Sequence, residues 1–166
     1  MAGLLTELID VLDAEGEHYE DLLGLAKEKK EILVQNDVES LKKITSLENT
    51  LISRINRLEK KRLALMGDIA TVLGRGAKAL TLGALMETVR GQNEYPALNA
   101  AAGRLRAAAG SLREINALNK TLVEQSLEYI DFALNLLRGS ANSGPSFYGN
   151  GLDDIDDGAQ FFDARQ

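Results

Sequence analysis

The feature that most constrains the fold is a seven-residue repeat between residues 38 and 73. One column of the repeat consists of Ile44, Leu51, Leu58, Leu65 and Val72, and the other of Leu41, Glu48, Ile55, Arg62 and Ile69. Side chains that recur at this spacing line one face of an α-helix and need another helix against them. The repeat therefore predicts a helix about 50 Å long, with polar interruptions of its packing face at Glu48 and Arg62.

A similar repeat runs through residues 4–34. Its members, at seven-residue intervals, are Leu5, Leu12, Tyr19, Ala26 and Leu33. Asn36 and Asp37 break the pattern, and an aspartate in this place can cap the start of the next helix. Because only a short break separates the two helices, the sequence predicts an antiparallel hairpin.

A third long helix follows a glycine-rich connection at residues 74–76. Thr81 can cap a short helix that continues to Val89. Pro96 then stands at the start of a helix that runs to Arg138 and is about 60 Å long. We therefore predict an all-α fold: an elongated antiparallel bundle or coiled coil of three long helices, with a short connecting helix and an irregular C-terminal tail.

The composition changes after Arg138. Residues 139–166 are rich in Gly, Ser and Asn, and their five Asp and one Arg give a net charge of −4, out of −6 for the whole chain. Such a composition is typical of disordered segments. We predict a helical domain over residues 1–138 and an acidic tail over residues 139–166. The tail also holds half of the aromatic residues of the chain: Phe147, Tyr148, Phe161 and Phe162.

Between Leu122 and Leu137 the third helix is more apolar than one packing seam requires. At 100° per residue its apolar side chains fill an arc of about 180°, whereas a single seam needs roughly 100°. We assign an inner seam to the bundle: Leu122, Ser126, Tyr129, Ala133 and Leu136. The excess forms an apolar strip: Val123, Leu127, Ile130, Leu134 and Leu137. Either the short helix or the first helix buries this strip, or the strip binds a partner.

Two asparagines precede the strip. Asn119 falls on a packing seam, where a polar residue can set the register of a coiled coil, and Asn116 lies three residues before it. The alternative is that both amides bind the backbone of a partner segment. The predicted partner-binding residues are Asn116, Asn119, Val123, Ser126, Leu127, Tyr129, Ile130, Leu134 and Leu137.

Composition argues against an enzyme. Without cysteine, the chain has no thiolate nucleophile and no thiolate metal ligand. The single histidine, His18, follows Glu15 at the Glu-x-x-His spacing of di-iron bundles, but those sites need two such motifs. We predict no catalytic residue, no cofactor and no metal site.

Charge and hydropathy limit the partners and the location. The net negative charge, and the mixing of Lys and Arg with Glu, argue against a nucleic-acid partner. No apolar run is long enough for a membrane span. The first residues lack the basic region and apolar run of a signal peptide. The sequence predicts a cytoplasmic protein.

Two segments resemble FlgN-type flagellar export chaperones. The first is Leu22-Leu23-x-Leu25-Ala-x-Glu28-Lys-x-x-x-Leu33, followed by Asp37-Val-Glu-x-Leu41 and then by Glu48 and Arg62. The second is Asn116-Ala-Leu-Asn119-x-x-Leu122-x-x-x-Ser126-Leu-x-Tyr129. The order of these features, over about residues 4–138, is more specific than either heptad pattern.

The resemblance implies an all-helical cytosolic chaperone. Members of this family bind C-terminal segments of the hook–filament junction proteins FlgK and FlgL and deliver them to the flagellar type III export apparatus. The client-binding region of the family would correspond to residues 116–137. The alternative is a coiled-coil homodimeric scaffold without a chaperone role, which would self-associate through the apolar strip. A further hypothesis places the tail aromatics in the client groove of the same or a neighbouring chain.

Overall fold

The computed structural model describes residues 1–76 and 80–141, and the side chains as far as residue 139. These residues form four helices and no strand. The helices are α1 (Ala2–Gln35), α2 (Val38–Val72), α3 (Leu82–Thr88) and α4 (Tyr95–Ala141). The predicted all-α fold, with three long helices and a short connecting helix, is confirmed.

The turn between α1 and α2 is built from Asn36 and Asp37. Asn36 adopts a left-handed conformation (φ 55°) and ends α1, because its backbone N–H and that of Asp37 reach back to the carbonyls of Leu33 and Ile32. The Asp37 side chain accepts a hydrogen bond of 3.1 Å from the backbone N–H of Ser40 and so caps α2. The helix boundary predicted here is therefore fixed by two adjacent capping residues.

Ion pairs show that α1 and α2 are antiparallel. Lys29 near the end of α1 pairs with Glu48 near the start of α2 at 3.0 Å. Glu15, earlier in α1, pairs with Arg62, later in α2, at 3.1 Å. The two polar interruptions of the heptad repeat are thus matched by opposite charges on the neighbouring helix.

The chain divides into two compact units, Met1–Leu127 and Glu128–Gln166. The first contains a large apolar cluster at the end of the hairpin away from its turn. Its buried members are Leu5, Leu8 and Leu12 of α1, Met66, Ile69 and Ala70 of α2, Leu80, Leu85 and Val89 in and around α3, and Leu98 and Ala101 of α4. Thr81 caps α3 as predicted, since its hydroxyl accepts a 3.1 Å bond from the Ala84 N–H. Leu85 of this capped helix lies in the cluster.

A smaller cluster lies closer to the hairpin turn. It joins α1 and α2 to α4 through Leu22, Ala26, Ile55 and Leu112. Within this unit α4 runs parallel to α1, because Arg104 pairs with Glu20 at 2.8 Å and Asn119 bonds to Ala26 at 2.8 Å. In the first unit α4 therefore packs against a hairpin of two helices.

Two predictions concern the end of the chain. Residues 142–166, with the four tail aromatics and all the tail aspartates, lie outside the described residues. The division between a helical domain over residues 1–138 and a tail over residues 139–166 stays a prediction.

Candidate partner-binding surface

The apolar strip begins in the first unit with Val123 and Leu127, and both side chains are exposed. α3 does not cover them, since its Leu85 belongs to the large cluster. α1 has nine residues left after Ala26, the contact of Asn119, which is long enough to reach Leu127, but the exposure of Val123 and Leu127 shows that α1 does not cover them. Neither of the two helices proposed to bury the strip does so in the first unit.

The second unit continues with Ile130, Leu134 and Leu137, which are exposed as well. Across the whole strip the exposed fraction runs from 38% at Val123 to 69% at Leu137. Burial of large aliphatic side chains is the main favourable contribution to folding, so the exposed aliphatic side chains make each of the two stretches a candidate partner-binding surface, and that role stays a prediction.

The predicted inner seam is wrong in the second unit. Tyr129 is 72% exposed and Leu136 is 55% exposed, although Leu122, Ser126 and Ala133 are half-buried. The prediction extended the bundle seam along the full length of α4. It failed because periodicity identifies the apolar side of a helix but not the residue at which the neighbouring helix ends.

Sequence reasoning also missed Phe132. This side chain is 60% exposed and lies outside the predicted arc. The available signal was a large aromatic residue on the side of the helix that otherwise holds Glu128 and Asn135, where an ordinary amphipathic helix has polar residues. The apolar surface of the second unit is therefore wider than the strip.

The structure places the two asparagines differently. Asn119 is buried, with 4% exposure, and its Nδ2 donates a 2.8 Å hydrogen bond to the carbonyl of Ala26. Asn116 is exposed. Asn119 therefore joins α4 to α1, as the register-setting interpretation expects, whereas the role of either amide in partner binding stays a prediction.

One heptad column of α4 is polar near the start of the helix and apolar near its end. At seven-residue steps it runs Asn99, Arg106, Arg113 and Lys120, and then Leu127 and Leu134. All six side chains are exposed. A polar residue in this column is ordinary for a solvated helix side, whereas a leucine there has no role in folding that the described residues show. We call this column the flank column, and its change after Lys120 marks where the excess apolar surface starts.

Glu15, the glutamate of the Glu-x-x-His motif, forms an ion pair with Arg62. Burial raises the pKa of the Glu15 carboxyl, and the Coulombic attraction and hydrogen bond of Arg62 act in the opposite direction. Among residues 1–76 and 80–141, no three or more His, Asp or Glu side chains are grouped so that they could hold a metal ion. The Glu15–Arg62 pair serves to join α1 and α2.

Among residues 1–76 and 80–141, no helix is both long enough and apolar enough to cross a bilayer.

Comparison with known proteins identifies one family. The model of the family described as FlgN protein matches residues 1–151 of this chain. The match covers all four helices and continues into the first part of the predicted tail. No curated protein and no solved structure matches the chain.

Proposed function

Because the chain belongs to the FlgN family, a family of flagellar export chaperones, we propose that it binds C-terminal segments of FlgK and FlgL in the cytoplasm. It then delivers these hook–filament junction proteins to the flagellar type III export apparatus. The observation that carries the proposal is the exposed apolar side chains on α4, at Val123 and Leu127 in the first unit and at Ile130, Leu134 and Leu137 in the second.

Helix-in-groove capture is the mechanism that this surface supports. A disordered client segment folds into an amphipathic helix and lays its apolar side against the strip. While the client is bound, its own assembly surface is covered, so that premature assembly is blocked. Asn116, Ser126 and Tyr129 offer polar groups beside the strip for the client backbone, and Asn119 keeps the helix in register.

The free energy gained by burying the apolar strip limits the affinity of helix-in-groove capture. Full burial of five aliphatic side chains contributes at most about 8–15 kcal/mol, and roughly half of that remains to be gained, since the side chains are already partly covered. Ordering a disordered segment costs about 2–5 kcal/mol. The remainder is at most about 5–6 kcal/mol, which corresponds to weak binding, with a Kd on the order of 0.1 mM or weaker. A tighter complex requires apolar contacts beyond the strip.

The test is calorimetry with a C-terminal FlgK peptide. The double substitution Leu127→Glu with Leu134→Glu should abolish binding, because a charge in each apolar contact must be desolvated. The matched control is Leu63→Glu, which also places a charge at an exposed leucine, on α2. Circular dichroism should show normal helicity for both variants. Retained binding by the double variant would move the client site off the strip.

Sedimentation separates the chaperone from the homodimeric scaffold. A chaperone should bind the peptide as a defined complex, with any self-association reversed by the peptide. A stable dimer that persists in excess peptide would favour the scaffold, in which the same side chains contact a second copy.

A further inference from the structure

The second unit has an apolar surface on two sides of α4. The leucine side consists of Ile130, Leu134 and Leu137. The aromatic side consists of Tyr129, Phe132 and Leu136, with the half-buried Ala133 between the two sides. At 100° per residue, these side chains together span about 200° of the helix. Each large member of both sides is exposed, by between 45% at Leu134 and 72% at Tyr129.

One helix cannot cover this surface. A helix on the surface of a globular protein has an apolar stripe of roughly 100° that faces its core, and the apolar surface of the second unit is about twice as wide. A single amphipathic client helix on the leucine side would leave Tyr129 and Phe132 in water. The width of the surface therefore corresponds to two covering helices.

The same helix is covered by two helices in the first unit. Leu98 and Ala101 of α4 share a cluster with Leu5 of α1 and Ile69 of α2. Seven-residue steps along α4 lead from the buried Ala101 and Ala108 through the half-buried Ile115 and Leu122 to Tyr129 and Leu136 of the aromatic side. The aromatic side thus continues a column that is covered in the first unit, whereas the leucine side continues a column, through Asn116 and Val123, that is already exposed there.

We propose that the second unit binds two helical segments of one client, side by side, one against the leucine side and one against the aromatic side. This inference rests on the proposed function. The client segment then has the chemistry of a helical hairpin with two apolar stripes, and its helix on the aromatic side covers the column that is covered in the first unit. The additional contacts also supply the binding energy that the strip alone lacks.

The experiment uses the full chain and two FlgK peptides encoded in the same genome. One comprises the last 20 residues or so, enough for one helix along the second unit, and the other about 45 residues, enough for two. By calorimetry the long peptide should bind at least about tenfold more tightly. Leu134→Glu on one side and Tyr129→Glu on the other should each weaken the long peptide at least about tenfold.

Two controls are needed. The first distinguishes a loss of binding from a loss of folding, and the second shows that the effect does not depend on one particular substitution. Leu63→Glu on α2 should leave the affinity for the long peptide unchanged, and circular dichroism should show equal helicity for all variants. Phe132→Glu repeats the test of the aromatic side at a second position. For the short peptide, only one of the two sides should matter, since one helix occupies one side.

Several outcomes would overturn the inference. If the short peptide binds as tightly as the long one, or if both Tyr129→Glu and Phe132→Glu leave the long peptide unaffected, the client contributes a single helix and the proposed function stands. If sedimentation shows a client-free dimer that Tyr129→Glu disperses and the long peptide does not, a second copy covers the aromatic side. If neither peptide binds the wild-type chain, the proposed function itself fails and the inference with it.

Discussion

The two ends of α4 have similar apolar residues and opposite environments. Near its start Leu98 is fully buried and Leu112 almost so, whereas near its end Ile130, Leu134 and Leu137 are exposed. The first group packs on α1 and α2 in the clusters of the first unit. Both groups recur at helical spacing and both consist of large aliphatic side chains. Their different exposure therefore follows from whether neighbouring helices pack against them.

The largest expected difference between the two ends is in folding stability. Leu98→Ala should lower the free energy of unfolding by about 2–5 kcal/mol, since it removes a fully buried side chain and leaves a cavity. Leu137→Ala should change it by less than about 0.5 kcal/mol. Urea denaturation of both variants measures the contrast. Equal losses would mean that the end of α4 is part of the folding core after all.

The polar contact between the two clusters of the first unit should be nearly as important as the clusters themselves. Arg62→Ala leaves the buried Glu15 carboxylate unpaired and should destabilise the protein by about 3 kcal/mol. Replacing both residues by leucine should recover most of this loss, because a well-packed apolar pair often equals a buried ion pair. Chemical denaturation of the single and double variants tests this expectation. A double variant as unstable as Arg62→Ala would show that the pair has a role that leucine packing does not replace.

Asn119 lies where the buried part of α4 gives way to the exposed part. Asn119→Ala removes the hydrogen bond to Ala26 and should lower the free energy of unfolding by about 1–2 kcal/mol. Denaturation and peptide calorimetry on the same variant distinguish its two proposed roles. The calorimetry is done at a temperature where the variant is fully folded. If its affinity for the client is unchanged there, the role of Asn119 is restricted to setting the register of α4.

The flank column offers a substitution that makes one end of α4 resemble the other. Leu127→Lys and Leu134→Arg continue the polar pattern of Arg113 and Lys120. Because both leucines are exposed, the change in unfolding free energy should stay within about 0.5 kcal/mol, whereas binding of the FlgK peptide should be lost. Wild-type affinity in this variant would remove the flank column from the client surface.

The smallest expected effect is the pH dependence of two arginine-paired carboxylates on α1. Burial raises the pKa of Glu15, so the folded state holds that proton more tightly and the contribution of Glu15 to stability falls as the pH rises above its ordinary value of 4.5. A hydrogen bond from Arg104 lowers the pKa of exposed Glu20, so its contribution is present above 4.5 and is lost as the pH falls through the lowered pKa.

Denaturation from pH 3 to pH 7 measures these two effects through matched variants. Glu15→Gln should remove the part of the stability that declines with rising pH, and Glu20→Gln the part that rises with it. Both residues belong to the first unit. Identical pH profiles for the two variants would contradict the opposite assignments.

Much of the fold was predictable because its signals are local. The helix starts predicted at Asp37 and Thr81 are confirmed, since these residues cap α2 and α3. The heptad columns predicted the packing faces of α1 and α2. The polar interruptions at Glu48 and Arg62 were visible, but their partners Lys29 and Glu15 were not, since the pairing depends on how two helices align. The exposure of Tyr129 could not be predicted for the same reason, whereas Phe132 stands on the polar side of α4, a signal that the sequence contained.

The sequence by itself determined four helices, their caps and the apolar side of each, since hydrogen bonding and side-chain periodicity act within about one helical turn. It also determined the family, through the order of its motifs along the chain. Only the tertiary structure decided which apolar residues are covered. Burial depends on which side of α4 a neighbouring helix contacts and how far that helix extends, and the hairpin of α1 and α2 covers Leu98 and Leu112 while the large apolar side chains from Val123 onward remain exposed. The residues of α4 thus predicted an excess apolar strip, and only the packing around α4 decided that the strip is uncovered and that the exposed surface also includes Tyr129 and Phe132.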